Sequence, residues 1–194
     1  MCGIAGIVAK QPVDLRAVER MNMLQEHRGP DDSGVWSSKN KNVILGHRRL
    51  SIIDTSSSGH QPMVRGSHVI TYNGEIYNYL EITKKLKALG NSFDSASDTE
   101  VLLRAYQQWG EQALDELNGM FAFAIYDDKH QQIFCARDRF GEKPLLFHRT
   151  NDSFIFASEY KAILALEGVS SKYDENRIMR FLYHPTQGLD DEMQ

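Results

Sequence analysis

Apolar residues in this chain fall into two spacings, and where the spacing changes the elements change. Residues 3–9, Gly-Ile-Ala-Gly-Ile-Val-Ala, form an apolar run of strand length. Asp14 then stands where it caps a short helix, with Leu15, Val18, Met21 and Leu24 marking one apolar face. Residues 27–34 are dense in turn formers and read as a shaped loop. A strand is predicted over 42–47, running on through 48–54 to a polar loop at 55–59. Another covers 68–72 and ends on Asn73-Gly74, a strong turn signal. The next segment has helical spacing, Leu80, Ile82, Leu86 and Leu89 among lysines, closed by Gly90. The pattern therefore predicts a strand that breaks at Asn73-Gly74 into a helix. Ser97 with Glu100 fits a capping box opening a helix over 101–106, and 112–117 reads as a further short helix.

From 120 to 157 the period is that of strands, at 120–126, 132–137, 145–148 and 154–157, with Asp127-Asp128 and Asn151-Asp152 supplying tight turns. The first of these is continuously apolar, which implies burial on both faces. Helical pieces at 160–166 and 174–182 close the chain. Strand runs separated by a helical middle predict an α+β fold, two stacked sheets flanked by helices.

Composition narrows the function. The chain has 194 residues, 41% hydrophobic and 25% charged, the profile of one globular domain or a domain with an appendage. A net charge of −4 with no basic block argues against a nucleic-acid surface. No apolar stretch approaches the roughly 18–20 residues of a membrane helix, and no secretory leader pattern opens the sequence. Cys2 and Cys135 lie too far apart in sequence for a CxxC site and are too few for a disulfide framework, so a reducing, cytoplasmic setting is expected. The seven histidines lack metal-ligand spacing, so no metal site is expected.

The candidate chemistry begins at Met1-Cys2. Removal of the initiator would leave one residue with both a thiol and an α-amine, whose unperturbed pKa values are roughly 8.5 and roughly 7.7–8.0. Such a residue carries a nucleophile and its own base, although a cysteine beside an initiator is usually accidental. In the loop at 27–34, Arg28 beside Gly-Pro-Asp-Asp belongs either to a surface connection or to the wall of a pocket for a charged ligand. Arg48 and Arg49 usually mean a solvated edge. Strand alternation, however, turns one of them to the face opposite the other, where a guanidinium suits a substrate carboxylate. A strand ending at Asn73-Gly74 would expose an amide and backbone N–H groups, the donors of an oxyanion hole. If Ser97 caps its helix, the Asp98 carboxylate is left to point elsewhere. Cys135, within a predicted strand, reads as a small buried apolar residue. Lys143-Pro144 reads as a turn without an assigned role.

Eight stretches in order complete the pattern: Met1-Cys2-Gly3-Ile4, His27-Arg28-Gly29-Pro30-Asp31, Arg49-Leu50-Ser51-Ile52-Ile53-Asp54, Gln61-Pro62-Met63, Tyr72-Asn73-Gly74-Glu75-Ile76-Tyr77-Asn78, Ser97-Asp98-Thr99-Glu100, Asn118-Gly119-Met120-Phe121-Ala122-Phe123 and Arg137-Asp138-Arg139-Phe140-Gly141-Glu142-Lys143-Pro144-Leu145. With these the chain resembles the glutaminase domain of class II glutamine amidotransferases, most closely that of the glutamine-hydrolysing asparagine synthetases. The resemblance implies a four-layer α-β-β-α sandwich of the N-terminal-nucleophile hydrolase type, with two mostly antiparallel sheets. It implies Cys2 as nucleophile, with its freed α-amine as base, directly or through a water, and Asn73 and Gly74 as the oxyanion hole. Arg49 would bind the glutamine α-carboxylate and Asp98, helped by Glu75, the α-ammonium, with Leu50 and Ile52 completing the substrate-binding set.

The resemblance further implies ammonia supply to an ATP-dependent synthetase domain of a longer polypeptide, by default for asparagine synthesis. Relatives of similar sequence amidate polysaccharide or secondary-metabolite carboxylates. That second domain's Ser-Gly-Gly-x-Asp-Ser loop does not occur here, so ATP and Mg²⁺ are expected only in the missing part and no cofactor in this chain. The whole of 1–194 reads as one glutaminase domain, with about 175–194 leading toward the absent half; a free-standing ammonia-donating subunit is the other arrangement. The family leaves a homodimer open. If Met1 is retained, the competing class is a non-catalytic interaction module.

Overall fold

The computed structural model describes residues 1–51, 59–172 and 174–183. Two antiparallel sheets lie face to face. One runs β2 (Asp32–Ser37), β3 (Val43–Arg49), β1 (Gly3–Ala9), β9 (Ser153–Ala157), β8 (Leu146–Arg149). The other runs β4 (Met63–Arg65), β5 (His68–Ile76), β6 (Gly119–Asp127), β7 (Gln132–Arg137). Helices α1 (Leu15–Leu24) and α5 (Tyr160–Leu164) cover the first sheet. Helices α2 (Tyr79–Ala88), α3 (Asp98–Trp109) and α4 (Ala113–Glu116) cover the second. A last helix, α6, spans Glu175–Tyr183. The result is the α-β-β-α layering that the strand and helix pattern predicts.

The period of two in the strands sorts side chains between layers. In β6, Phe121, Phe123 and Ile125 pack toward the helices of their own sheet, while Ala122, Ala124 and Tyr126 face the other sheet. In β3, Ile44 meets α1, and Val43 and Leu45 enter the space between the sheets. Continuous apolarity in β6 thus does correspond to burial on both faces.

The structure corrects several expectations. The strand at 68–72 does not break at Asn73-Gly74; β5 continues to Ile76, paired with β6 from His68↔Asp127 to Ile76↔Gly119. Nine consecutive cross-strand partners outweigh the local turn preference of Asn-Gly. Gly74 serves close approach instead, because a Cβ there would collide with the Met120 carbonyl. The presumed loop at 27–34 contains the start of β2, which pairs Asp32 with Arg49, and the short β4 was not foreseen. The strand after 42 ends at Arg49, and 52–58 lie outside the described residues.

Within the helices, Ile82 and Leu86 of α2 are buried, but Leu80 and Leu89 are exposed. Leu80 points away from Ile82 by helical geometry, and Leu89 falls beyond the last turn. Gly90 closes α2 as expected, with φ +91° and Asn91 N–H donating to Leu86 O at 3.0 Å. Only half of the capping box forms. Ser97 accepts from Thr99 N–H, whereas Glu100 turns to Arg65 and to the Asp94 and Ser95 amides.

Candidate active site

The antiparallel pair Gly3↔Arg48 brings Cys2, at the mouth of β1, level with Arg49 at the end of β3. Cys2 Sγ accepts from Leu50 N–H at 3.4 Å and lies 3.7 Å from Leu50 O. Its carbonyl accepts from Arg28 Nε at 2.9 Å, and Arg28 also pairs with Glu159 at 3.1 Å. Arg28 thus secures the amino-terminal backbone and is absent from the cavity wall, contrary to the pocket reading of that loop. Burial is the largest influence on the Cys2 thiol and pushes its pKa up, against the pull of Leu50 N–H, the terminal amine and Arg49.

Arginine alternation resolves as strand geometry requires. Arg48 faces outward, donating to Gly29 O at 2.9 Å and pairing with Glu26 at 3.3 Å. Arg49 continues the row of Val43, Leu45 and His47 between the sheets, is 8% exposed, and packs its guanidinium against Gly59.

On β5 the same alternation turns Asn73 toward the first sheet. Its amide nitrogen is buried and, among the described residues, has no hydrogen-bond partner. Backbone alternation does the rest. The N–H groups of Tyr72 and Ile76 point away from β6, to Gln61 Oε1 at 2.7 Å and Asp98 Oδ2 at 3.1 Å. Gly74 N–H lies between them on that same edge. Asp98, first residue of α3, accepts a second bond from the Tyr72 hydroxyl at 2.8 Å. Burial raises its carboxyl pKa, while the bonds from Tyr72, Ile76 and Thr99 oppose the rise. Burial likewise raises the Tyr72 phenol well above its ordinary value, so it stays a donor to Asp98.

These groups surround one cavity of about 240 Å³, with Leu50 and Glu75 also in its wall. The structure therefore brings together Cys2, Arg49, Leu50, Asn73, Gly74, Glu75 and Asp98. Ile52 lies outside the described residues. Sequence reasoning missed Gln61, Thr99, Met120 and Lys143, which also line the cavity. All four sit in the matched stretches, but nothing in their spacing points them inward. Cys135 lies elsewhere, half-buried against the inter-sheet core, where burial lifts its thiol to about 12. Among the described residues no group of three or more His, Cys, Asp or Glu is placed to hold a metal ion, and no helix is long and apolar enough to cross a membrane.

The family model described as a glutamine amidotransferase domain matches residues 1–193. The chain belongs to the glutamine amidotransferase domain family. Within it, the chain is 45% identical over 181 residues to the Bacillus subtilis protein "Asparagine synthetase [glutamine-hydrolyzing] 3", covering 90% of this chain and 29% of that one. It is 41% identical to the Methanocaldococcus jannaschii "Putative asparagine synthetase [glutamine-hydrolyzing] 2", covering 94% of this chain and 39% of the relative. The amidotransferase domain thus spans roughly a third of the length of these curated relatives. A solved structure of glutamine phosphoribosylpyrophosphate amidotransferase from B. subtilis superposes with a TM-score of 0.73 over 84% of this chain and 43% of its own, at 22% identity. That likeness establishes the same fold.

Proposed function

We propose that this domain hydrolyses the side-chain amide of L-glutamine at Cys2 after loss of Met1. The observation that carries the proposal is the Asn73 amide nitrogen, buried and unpartnered among the described residues, in a cavity that also holds a thiol and side chains of both charges. A buried donor left unpaired costs about 1–3 kcal/mol, and an oxygen that gains negative charge only during reaction would offset that cost.

Arg49 takes the α-carboxylate of glutamine, and Asp98 with Glu75 takes the α-ammonium. This fixes the distance from the amino-acid head to the reacting carbon. The Cys2 thiol, raised by burial, needs a base at neutral pH. While Met1 is present the Cys2 nitrogen is an amide; once it is free, the α-amine accepts the thiol proton. The sulfur then attacks the amide carbon, and the oxyanion meets Asn73 Nδ2 and Gly74 N–H. Collapse of the tetrahedral intermediate breaks the C–N bond, and the proton held by the amine leaves with the nitrogen as ammonia. Water adds to the γ-glutamyl thioester, releasing glutamate and restoring the thiol. In a full-length protein of the relatives' size, the ammonia would feed an ATP-dependent amide-forming domain, with aspartate as the default acceptor.

The test is intact-mass measurement of the amino terminus together with glutamate release. Processed protein is expected to turn over glutamine, and Cys2→Ala to bind glutamine without turnover. Full activity in Cys2→Ala, or in protein that still carries Met1, would overturn the mechanism, and a processed chain that binds glutamine without turnover would favour the interaction-module reading.

A further inference from the structure

One charged group in the cavity has no part in that scheme. Lys143 is 7% exposed and lines the same cavity as Cys2, Asn73 and Met120. Its backbone is held from both sides: Lys143 N–H donates to Asp138 Oδ2 at 3.0 Å, and Lys143 O accepts from Arg137 Nε at 2.7 Å. Asp138 is in turn fixed by the amides of Phe121, Phe140 and Glu142. Gly141, at φ +66°, allows the tight turn between them, where any Cβ would meet the Arg137 guanidinium. The register sets the level of this loop, because Ala122 pairs with Asn73 on one side and with Arg137 on the other. The loop leaving β7 therefore starts level with Asn73, at the amide end of the cavity. Among the described residues the Lys143 ammonium has no hydrogen bond or ion pair, although its backbone is fully engaged. An ammonium that lines a cavity without an ionic partner can be met by an anion bound there.

Glutamine brings only a neutral amide to that end, since its two charged groups belong to Arg49, Asp98 and Glu75. Hydrolysis turns the amide into a carboxylate. We propose that Lys143 is an anion subsite at the amide end of the cavity, taking the γ-carboxylate of L-glutamate. The domain then holds its own product, and glutamate competes with glutamine for Cys2. This rests on the glutamine reading above. It adds a specificity determinant that separates acid from amide.

The experiment measures glutamate as a competitive inhibitor, together with KM for glutamine, in the processed chain, Lys143→Met and Lys143→Arg. Lys143→Met is expected to raise the glutamate Ki about tenfold, the size of one charge-assisted hydrogen bond, and to change the glutamine KM less than about twofold. Lys143→Arg keeps the charge and is expected to stay within about threefold of the parent Ki. A second measurement needs no change at Lys143: calorimetry on Cys2→Ala with L-glutamate, L-glutamine and the γ-methyl ester of glutamate. The subsite predicts that glutamate binds at least as tightly as glutamine and that the ester loses the advantage. An unchanged glutamate Ki in Lys143→Met, equal loss of both ligands, or glutamine bound well above glutamate would overturn the subsite while leaving the glutaminase reading intact. A processed parent chain that neither binds nor hydrolyses glutamine would overturn that reading, and the subsite with it.

Discussion

At the scale of single residues, Arg49 and Asn73 are assigned different steps, and kinetics separates them. Arg49 would meet a group whose charge is the same in substrate and transition state, so its loss should act on binding. Arg49→Ala is expected to raise the glutamine KM at least about tenfold with a smaller change in kcat. Asn73 would meet an oxygen that is charged only in the transition state. Asn73→Ala is expected to lower kcat roughly 10²–10³-fold, with KM nearly unchanged. Steady-state rates of the two purified variants check the contrast; an unchanged KM in Arg49→Ala removes it from the head-group site, and a pure KM effect in Asn73→Ala removes it from the oxyanion hole. The inward turn of one arginine was legible because strand alternation is strict. Lys143 was not, because its approach to the cavity depends on a loop held by Asp138, and no periodicity encodes that contact.

At the scale of elements, the site depends on how the two sheets are fastened beneath it. His47 Nε2 on β3 donates to Tyr72 O on β5 at 2.9 Å, and Thr71 Oγ1 donates to Gly46 O at 2.9 Å. Tyr72 O belongs to the peptide that leads into Asn73, so His47 is a positioning residue for the proposed oxyanion donor. Burial lowers the His47 pKa from 6.5 to about 4, with smaller and partly opposing effects from Tyr72 O, Asp32, Arg49 and His60. Between those values the unfolded chain takes up a proton that the folded chain refuses. His47 therefore contributes its full stability above about 6.5 and loses it as pH falls toward about 4, by roughly 3 kcal/mol. His47→Gln keeps a donor and removes the titration. Denaturant unfolding at pH 7.5 and pH 4.5 is expected to show the parent losing about 2–3 kcal/mol more than this variant; equal losses would mean that His47 does not carry the acid sensitivity. The Asn73-Gly74 misreading belongs to this scale too. Turn propensity is local, and the β6 partner that overrides it lies more than 40 residues away.

At the scale of the whole molecule, the layering was legible because each strand's period names the layers it touches. The close meeting of the sheets was not, because it depends on which small residue makes room for a large neighbour on the adjacent strand of its own sheet. Phe156 on β9 is fully buried in the inter-sheet cluster and lies opposite Gly6 on β1. A side chain at Gly6 would collide with its ring, so the glycine is the space the phenyl fills. Gly6 has nothing with which to refill that space, and the flanking strands are fixed by pairing on both sides. Phe156→Ala should therefore leave most of its cavity open and cost about 3–5 kcal/mol, a Tm drop of roughly 6–20 °C for a chain of this size. Helix α6 marks the other extreme. Its Ile178 and Leu182 are 44% and 66% exposed, and neither belongs to any of the three core clusters. Ile178→Ser should stay within about 0.5 kcal/mol of the parent. Thermal unfolding of both variants decides whether stability resides between the sheets: equal Tm values for the two would mean that the cohesion of the fold lies outside the clusters described.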